Sequence, residues 1–303
     1  MKNTKETSIV EFLTTRFPDE KAAVDFFVAK RWPKGVICPY CDSERVYVSE
    51  AKQPFKCSDC NNKFTCKTKT IMEASHIPVR LWLLAMYIMG TARKGISSVE
   101  LGKQLGVTQK TAWYMGHRIR EACNGFEKMH GIVEVDETYV GGKEKNKHAN
   151  KRFNSGRGVA NKTPVVGLRE RKGSVRGKVV SNTEAATLQG LIEQTVSRNS
   201  AVFTDDHRSY LGLDIKGYKH SAVNHSGAEY VNGIAHTNGI ESFWALLKRG
   251  IYGTYHNVSI KHLQRYVNEF AFRSNNGELA LSFVDAVCGK AKGNVLQYKQ
   301  LTA

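Results

Sequence analysis

The sequence predicts a mixed α/β chain whose α/β region follows a small metal-binding segment and a helical segment. Two closely spaced cysteine pairs near residues 38–60 indicate the metal-binding segment, and helical periodicity over residues 78–122 indicates the helical one. From about residue 130, short apolar strands alternate with helices, a pattern typical of an α/β domain. With 303 residues, the chain is long enough for about two domains.

These patterns divide the chain into four predicted segments. They are an amino-terminal helix with a zinc ribbon (1–75), a helix-turn-helix region (76–125), an α/β domain (126–290) and a carboxy-terminal tail (291–303). In the first segment, residues 7–32 have helical periodicity that Pro18 interrupts, and Asp19 is placed to cap the second helix. In the second, Gly95 and Gly106 divide the helical pattern.

The α/β region is predicted to contain five strands and three helices. The expected strands cover residues 131–140, 163–170, 177–182, 201–206 and 218–223. The expected helices cover residues 183–197, 239–252 and 260–273.

The composition excludes several classes of protein. Hydrophobic residues make up 41% and charged residues 24%, which is a globular composition and excludes disorder throughout. Because the sequence has neither an apolar run of about 18 residues nor an apolar signal core, we expect a cytoplasmic protein without membrane insertion. The net charge of +17 indicates a polyanionic partner, most often nucleic acid, with a basic but inert surface as the alternative.

The cysteine spacing predicts a structural zinc site. Cys38 and Cys41 form one C-x2-C pair, Cys57 and Cys60 form another, and fifteen residues separate the pairs. Each pair can present two thiolates to one tetrahedral Zn²⁺, and four cysteine ligands leave no open position for water. Buried reduced thiols are the alternative, but the polar residues around the pairs disfavour it. Of the other three cysteines, Cys66 is predicted to pack beside the zinc site without binding the ion, and Cys123 and Cys288 are predicted to be core residues.

Residues 96–123 match the length and turn of a helix-turn-helix. Val99, Leu101 and Leu105 are predicted to lie on one helix, and Gly106 begins the turn. The second helix, from about Gln109 to Glu121, has the position of a recognition helix for the DNA major groove. Three residues at its start, Gln109, Lys110 and Thr111, are predicted to meet base edges or phosphates. Trp113 and Ile119 are predicted to face the core, and a helix pair that only packs internally is the alternative.

Three acidic residues occupy the positions that a nuclease of the RNase H-like fold requires. Asp136 lies within a predicted strand, Asp205 follows the apolar run of another, and Glu241 opens a predicted helix. Converging carboxylates repel one another unless cations lie between them, which fits two Mg²⁺ or Mn²⁺ ions about 4 Å apart acting on a phosphodiester. Taken singly, each residue is as readily a turn, cap or solvated helix residue.

Long motifs across nearly the whole chain resemble one known family. They include RWPKGVICPYC, KCSDC, HIPVRLW, VDETYVGGKEKNK, TDDHRSY, HTNGIESFWALLKRGIYGTYHNVS and HLQRYVNEFAFR. With these motifs the chain resembles the DDE transposases of bacterial insertion sequences, specifically insertion-sequence family 1595, whose catalytic domain is related to that of Merlin elements. The resemblance implies an RNase H-like (retroviral-integrase-like) catalytic domain that cuts at terminal inverted repeats and joins 3′ ends to target DNA.

The resemblance assigns roles to four residues. Asp136, Asp205 and Glu241 match the three acidic positions, and Lys248, seven residues after Glu241, matches a lysine that contacts a DNA phosphate. Two alternatives stay open at the metal site. Asp206 could replace Asp205, and Asn238 is a second candidate for the third position because some relatives carry asparagine there.

A basic segment and a tryptophan complete the expected DNA contacts. Residues 141–178 hold twelve lysines and arginines against two acidic residues. Six of these basic residues are predicted to neutralise phosphates of the double-stranded DNA: Lys143, Lys145, Lys147, Lys151, Arg152 and Arg157. Trp244 is either a core residue or a wedge that stacks on bases. Because two DNA ends must be handled together, we expect a homodimer or a higher oligomer.

Two other functions compete with the transposase interpretation. One is a sequence-specific DNA-binding regulator that combines the zinc ribbon and helix-turn-helix with an inactive transposase-derived domain. The other is a structure-specific nuclease of the same fold, which would leave the two amino-terminal DNA-binding candidates without a role.

Overall fold

The structure is a computed structural model of the 303-residue chain. It describes residues 7–48, 54–125, 127–142, 148, 162–223, 236–276, 279–293 and 295–302. Two compact units divide the chain, one formed by Met1–Asn124 with Asn276–Ala303 and the other by Gly125–Asn275.

Helices and strands are numbered in chain order over the described residues. The helices are α1 (Ile9–Glu11), α2 (Glu20–Arg31), α3 (Val79–Thr91), α4 (Ser98–Leu105), α5 (Gln109–Ala122), α6 (Ala185–Thr195), α7 (Asn238–Arg249), α8 (Ile260–Asn275), α9 (Ala280–Gly289) and α10 (Tyr298–Thr302). The strands are β1 (Val46–Tyr47), β2 (Phe55–Cys57), β3 (Lys63–Phe64), β4 (Ile132–Val140), β5 (Thr163–Glu170), β6 (Val175–Val179), β7 (Ala201–Asp205) and β8 (Lys219–Val223). None of these helices has both the length and the apolar character needed to cross a membrane.

The first unit begins with helices, and α2 starts directly after the predicted capping residue Asp19. Asp19 caps α2 by accepting a hydrogen bond from the backbone N–H of Ala22 at 2.8 Å, as its position after Pro18 predicts. Beyond α2, strands β1–β3 form a small antiparallel sheet. The ring of Trp32 packs edge-on against Phe55 and Phe64 and gives this sheet an aromatic core.

The predicted helix-turn-helix is present as α4 and α5. Gly106 follows α4 with φ of 67°, a left-handed conformation that glycine adopts at low cost, and Thr108 caps α5. Leu101 and Leu105 are buried as predicted. Val99 lies on the same helix, as predicted, and is 53% exposed, because a residue two positions before Leu101 points away from it on a helix.

The carboxy-terminal segment differs from the predicted division of domains. Residues 276–290 were expected in the α/β domain, but they belong to the first unit together with the predicted tail. The physical reason is the packing of α9, whose buried side chains include Phe283, Val284 and Val287. Helix α9 lies against α3 and α2, so its apolar residues complete the core of the first unit.

The second unit is built on a five-stranded sheet with the strand order β6-β5-β4-β7-β8. Strands β4, β5 and β6 pair antiparallel, whereas β4 with β7 and β7 with β8 pair parallel. One apolar cluster joins the sheet to α6, and a second joins its opposite side to α7 and α8. This order and these two helical layers form the RNase H-like fold that the sequence predicts.

The register of the central strands decides where the acidic residues lie. Glu134 on β4 pairs with Phe203 on β7 in the parallel ladder. Asp136 and Asp205 each come two residues later on their own strands, so both point to the same side of the sheet. On the antiparallel side, Asp136 pairs with Gly167 of β5.

Candidate functional site

Three carboxylates come together where β4 and β7 run side by side. Asp136, Glu137 and Asp205 each offer an oxygen, and these oxygens lie within 4.8 Å of one another. Two of the three, Asp136 and Asp205, are predicted from the sequence. Glu137 is not, although it directly follows Asp136 in the sequence.

Burial and mutual repulsion raise the pKa values of two of these groups. The pKa of Asp136 is raised to about 6, mainly by burial and further by the nearby charges of Asp205 and Glu241. The pKa of Glu137 is raised to about 7, again mainly by burial, although the Tyr210 hydroxyl donates a hydrogen bond to this carboxylate. These two groups therefore keep their protons at pH values where exposed carboxyl groups have released them.

Asp205 has an orphaned oxygen atom. Its Oδ1 is buried and makes no hydrogen bond to any of the described residues. A buried carboxylate oxygen without a partner is costly, and a cation is the kind of partner that removes this cost. Asp206, the alternative to Asp205, is exposed and is not one of the three clustered carboxylates.

The third predicted acidic residue, Glu241, lies outside the cluster of three. It is exposed in the first turn of α7, and its carboxylate accepts a hydrogen bond from Thr237 Oγ1 at 2.9 Å. Its charge nevertheless contributes to the raised pKa of Asp136, so the two groups interact. Lys248 is half-buried near the end of α7, and Asn238, the alternative third ligand, is exposed at its first position.

A tryptophan links α7 to the cluster. Trp244 is only 4% exposed, which agrees with the core interpretation and leaves the indole inaccessible for stacking on a base. Its Nε1–H donates a hydrogen bond to Oδ2 of Asp136 at 3.0 Å. This contact joins a strand residue to a residue three positions after Glu241.

The four predicted zinc ligands also meet in space. Their sulfurs lie within 4.8 Å of one another, with Cys38 Sγ 3.6 Å from Cys60 Sγ and Cys41 Sγ 3.7 Å from Cys57 Sγ. Four sulfurs bound tetrahedrally to one zinc ion, each about 2.3 Å from it, would be about 3.8 Å apart. The sulfur cage therefore has the dimensions of a zinc site.

The two cysteine turns direct backbone N–H groups at the sulfurs, although burial and the three neighbouring thiols raise the pKa of Cys41 to about 12. Asp42 and Asn61, each directly after the second cysteine of its pair, have φ of 56° and 58°, a left-handed conformation that aspartate and asparagine tolerate. The pKa of Cys60 is lowered to about 6, first by a backbone hydrogen bond from Asn62. Asp59 accepts hydrogen bonds from Ser43 and Arg45, which ties one turn to the other.

The remaining cysteines pack in the interior. Cys66, Cys123 and Cys288 are all buried, as predicted, and the structure contains free cysteines at all seven positions. Burial raises the pKa of the Cys288 thiol, as expected for an inert core group.

The predicted DNA-contacting residues of α5 lie at its exposed start. Gln109 Nε2 donates to Ser98 Oγ at 2.9 Å, and Lys110 Nζ lies 4.9 Å from the centre of the Tyr298 ring. Thr111 is half-buried and shares a hydrogen bond with the capping Thr108. Farther along, Ile119 is fully buried as predicted, whereas Trp113 is only half-buried.

The six basic residues predicted to bind phosphates lie outside the described residues. They are Lys143, Lys145, Lys147, Lys151, Arg152 and Arg157.

Two family models of transposase domains match this chain, one in each of its two compact units. Residues 128–275 match the model of the ISXO2-like transposase domain, and residues 18–63 match that of the transposase zinc-ribbon domain. A chain of the Mos1 strand transfer complex aligns at 13% identity and a TM-score of 0.29, over 69% of this chain and 78% of its own. That likeness is too distant to add to the fold assignment.

Two relatives align by sequence. An uncharacterized transposase-like protein of Haemophilus influenzae is 35% identical over 33% of this chain and 80% of its own length. A protein of the transposable element ISH50 from Halobacterium salinarum is 30% identical over 85% of this chain and 91% of its own. With that extent of similarity, and with matches to both domain models, the chain belongs to the transposases of insertion-sequence family 1595.

Proposed function

We propose that the protein is a metal-dependent DNA transposase that cuts at the terminal inverted repeats of its element and joins the freed 3′ ends to target DNA. The observation that carries this proposal is the convergence of Asp136 and Asp205, 69 positions apart in the sequence, on one side of an RNase H-like sheet. Membership of a transposase family makes DNA the substrate that this site would act on.

The donor set suits Mg²⁺ or Mn²⁺. Carboxylate oxygens are hard ligands of the kind these ions prefer, and the unpartnered Oδ1 of Asp205 and the raised pKa of Asp136 both favour a bound cation. When bound, such ions would neutralise charge on the scissile phosphate and lower the pKa of the attacking hydroxyl group.

Four residues of the chain would carry out the reaction. Asp136, Asp205 and Glu241 would hold the metal ions. Lys248 lies seven residues, about two turns, after Glu241 on α7, so it would bind a DNA phosphate on the same side of the helix.

Glu137 is an alternative to Glu241 as the third ligand. Glu137 is in the cluster, but its carboxylate is engaged by the Tyr210 hydroxyl. Glu241 is exposed and lies close enough to Asp136 for its charge to raise the pKa of that carboxyl group, and it matches the third acidic position of the family. We therefore retain Glu241, and the experiment below compares the two.

The first unit would hold the DNA. The zinc ribbon would be a structural element, and the start of α5, with Gln109, Lys110 and Thr111, would contact the terminal repeats. The basic segment from Lys143 to Arg157, which belongs to the second unit, would also bind phosphates of the DNA and make binding weaken steeply with salt. Because the reaction joins two ends, we propose a dimer or higher oligomer on DNA, acting in the cytoplasm.

A strand-transfer assay on labelled repeat ends with Mg²⁺ tests the proposal. Asp136→Asn and Asp205→Asn should each lower product formation by about 10³-fold or more, because the metal contribution is lost. Asp206→Asn is the matched control, since Asp206 is the exposed neighbour of Asp205 and should leave activity within about twofold.

The same assay separates the alternatives. A large loss in Glu241→Gln and a small one in Glu137→Gln supports Glu241 as the ligand, and the reverse supports Glu137. Specific DNA binding without cleavage in the wild-type protein would favour the regulator. Cleavage that ignores the sequence of the ends would favour the structure-specific nuclease.

A further inference from the structure

We propose that Trp244 is a positioning residue whose indole N–H holds the Asp136 carboxylate in the orientation that receives a divalent cation. This inference rests on the proposed function, because it assigns to Asp136 the role of a metal ligand. The contact that carries it is the hydrogen bond from Trp244 Nε1 to Asp136 Oδ2, which is 3.0 Å long and comes from a side chain that is only 4% exposed.

The hydrogen bond serves both the indole that donates it and the carboxylate that accepts it. The indole nitrogen is a donor only, and burying it without a partner would be costly. A carboxylate that accepts from a fixed donor loses rotational freedom, and one of its oxygens becomes the defined acceptor of that donor. In metal sites, hydrogen bonds of this kind orient the ligands and raise the affinity for the ion.

The sheet leaves a space for this tryptophan beside its partner. Gly167 of β5 is paired with Asp136 in the antiparallel ladder. A Cβ atom at Gly167 would lie 2.4 Å from Cζ2 of Trp244 and 2.6 Å from Cδ1 of Ile240. Any larger side chain there would displace the indole, so the glycine beside Asp136 and the tryptophan that reaches it form one arrangement.

The same contact fixes α7 relative to β4. Trp244 lies three residues after Glu241, on the same side of the helix. The hydrogen bond between Trp244 and Asp136 therefore restricts the rotation and sliding of α7 against β4. It thereby also restricts the distance from Glu241 to Asp136. A phenylalanine at position 244 would fill much of the same apolar space but has no N–H group to donate to Asp136.

The test measures binding of Mn²⁺ to the full-length zinc-loaded protein by titration calorimetry and by electron paramagnetic resonance, without DNA. Trp244→Phe removes the donor and should weaken binding by about 10- to 100-fold. Trp82→Phe is the matched control, because Trp82 is equally buried and its Nε1 also donates, to Ser75 Oγ at 3.2 Å, in the other unit. Asp136→Asn identifies which Mn²⁺ ions bind at the candidate site.

The outcomes separate the inference from the proposed function. If the wild-type protein binds Mn²⁺ no better than Asp136→Asn, the proposed metal site fails and the inference fails with it. If Asp136→Asn loses an ion that folded Trp244→Phe binds within about twofold of wild-type affinity, the metal site stands and the positioning role is refuted.

A second measurement uses the unaltered protein in case Trp244→Phe does not fold. The indole ¹⁵N–H resonance of Trp244 should move on addition of Mg²⁺, and that shift should be absent in Asp136→Asn. The indole resonance of Trp82 should stay in place. A Trp244 resonance that Mg²⁺ leaves unchanged, in a protein that binds the ion, would overturn the inference.

Discussion

The buried carboxylate of Glu134 accepts a hydrogen bond from the backbone N–H of Ile240, with Oε2 3.1 Å from the amide nitrogen. Ile240 belongs to the first turn of α7, where backbone N–H groups have no partner within the helix. Glu134 therefore caps α7 from the neighbouring strand, two residues before Asp136. Arg171 holds the same carboxylate, with Nε 3.1 Å from Oε1. The helix that carries Glu241 and Trp244 thus begins at a point fixed by β4.

Replacing Glu134 should destabilise the second unit strongly. Glu134→Ala removes the carboxylate that accepts from Arg171 Nε and from the Ile240 amide, and the expected loss is about 3 kcal/mol of unfolding free energy, measured by urea denaturation. That value is at the low end for a broken buried pair because the Arg171 side chain remains 21% exposed. Glu193→Ala is the control, since the pair with Lys216 is exposed and should cost less than about 1 kcal/mol. Equal losses in the two variants would contradict the anchoring role of Glu134.

A methyl group at position 167 should disturb the candidate site through packing alone. Gly167→Ala places a Cβ within 2.4 Å of Trp244, so the expected cost is about 1–3 kcal/mol from overpacking, with a further loss of strand transfer as Trp244 moves from Asp136. Gly190→Ala is the matched control: it lies inside α6 with nothing within 4 Å of the added Cβ. It should be neutral or stabilising by up to about 1 kcal/mol. A Gly167→Ala protein as stable and active as wild type would refute the packing argument.

The zinc content should depend on the paired cysteines and on no others. Cys57→Ser should reduce the zinc measured by mass spectrometry from about one ion per chain to a small fraction, because four cysteine ligands close a structural site. Cys123→Ala should retain full zinc content, since Cys123 is buried and its thiol donates to the Ile119 carbonyl. Zinc bound to Cys57→Ser at the wild-type level would show that the ion lies elsewhere.

The sequence predicts the parts of the fold that depend on local patterns, and it misses those that depend on which core a segment joins. Alternation along β4 and the apolar run before Asp205 are local, and they place each aspartate on a strand. That these two strands lie side by side follows only from the fold that the family resemblance implies. The apolar face of α9 is also local, but nothing in it specifies that its partners are α2 and α3, more than 180 residues earlier.

Glu137 illustrates a second limit. Adjacent strand residues point to opposite sides of a sheet, so alternation alone separates Glu137 from Asp136. Its place in the cluster depends on the reach of its side chain and on Tyr210, which comes from a turn after β7. Neither can be read from the pattern of β4.

The stability of the metal-free site should fall as pH rises. The folded-state pKa values of Asp136 and Glu137, about 6 and about 7, lie above the usual 3.8 and 4.5 of these groups. The folded state therefore holds protons that the unfolded chain has already released, so these two groups favour folding below about pH 4 and lose that contribution as pH rises through 6 and 7. For the zinc-loaded protein without Mg²⁺, the melting temperature should fall between pH 5 and pH 8.

Two further measurements test whether the fall of the melting temperature with pH comes from Asp136 and Glu137. The double variant Asp136→Asn/Glu137→Gln should flatten the decline, whereas the exposed Glu184→Gln should leave it unchanged. Mg²⁺ should restore the melting temperature of the wild-type protein at pH 8 more than at pH 5, because the cation binds the ionised carboxylates that repel one another. The double variant should not respond to Mg²⁺. If instead the wild-type protein becomes more stable from pH 5 to pH 8 without Mg²⁺, burial does not raise the pKa values of these two carboxyl groups.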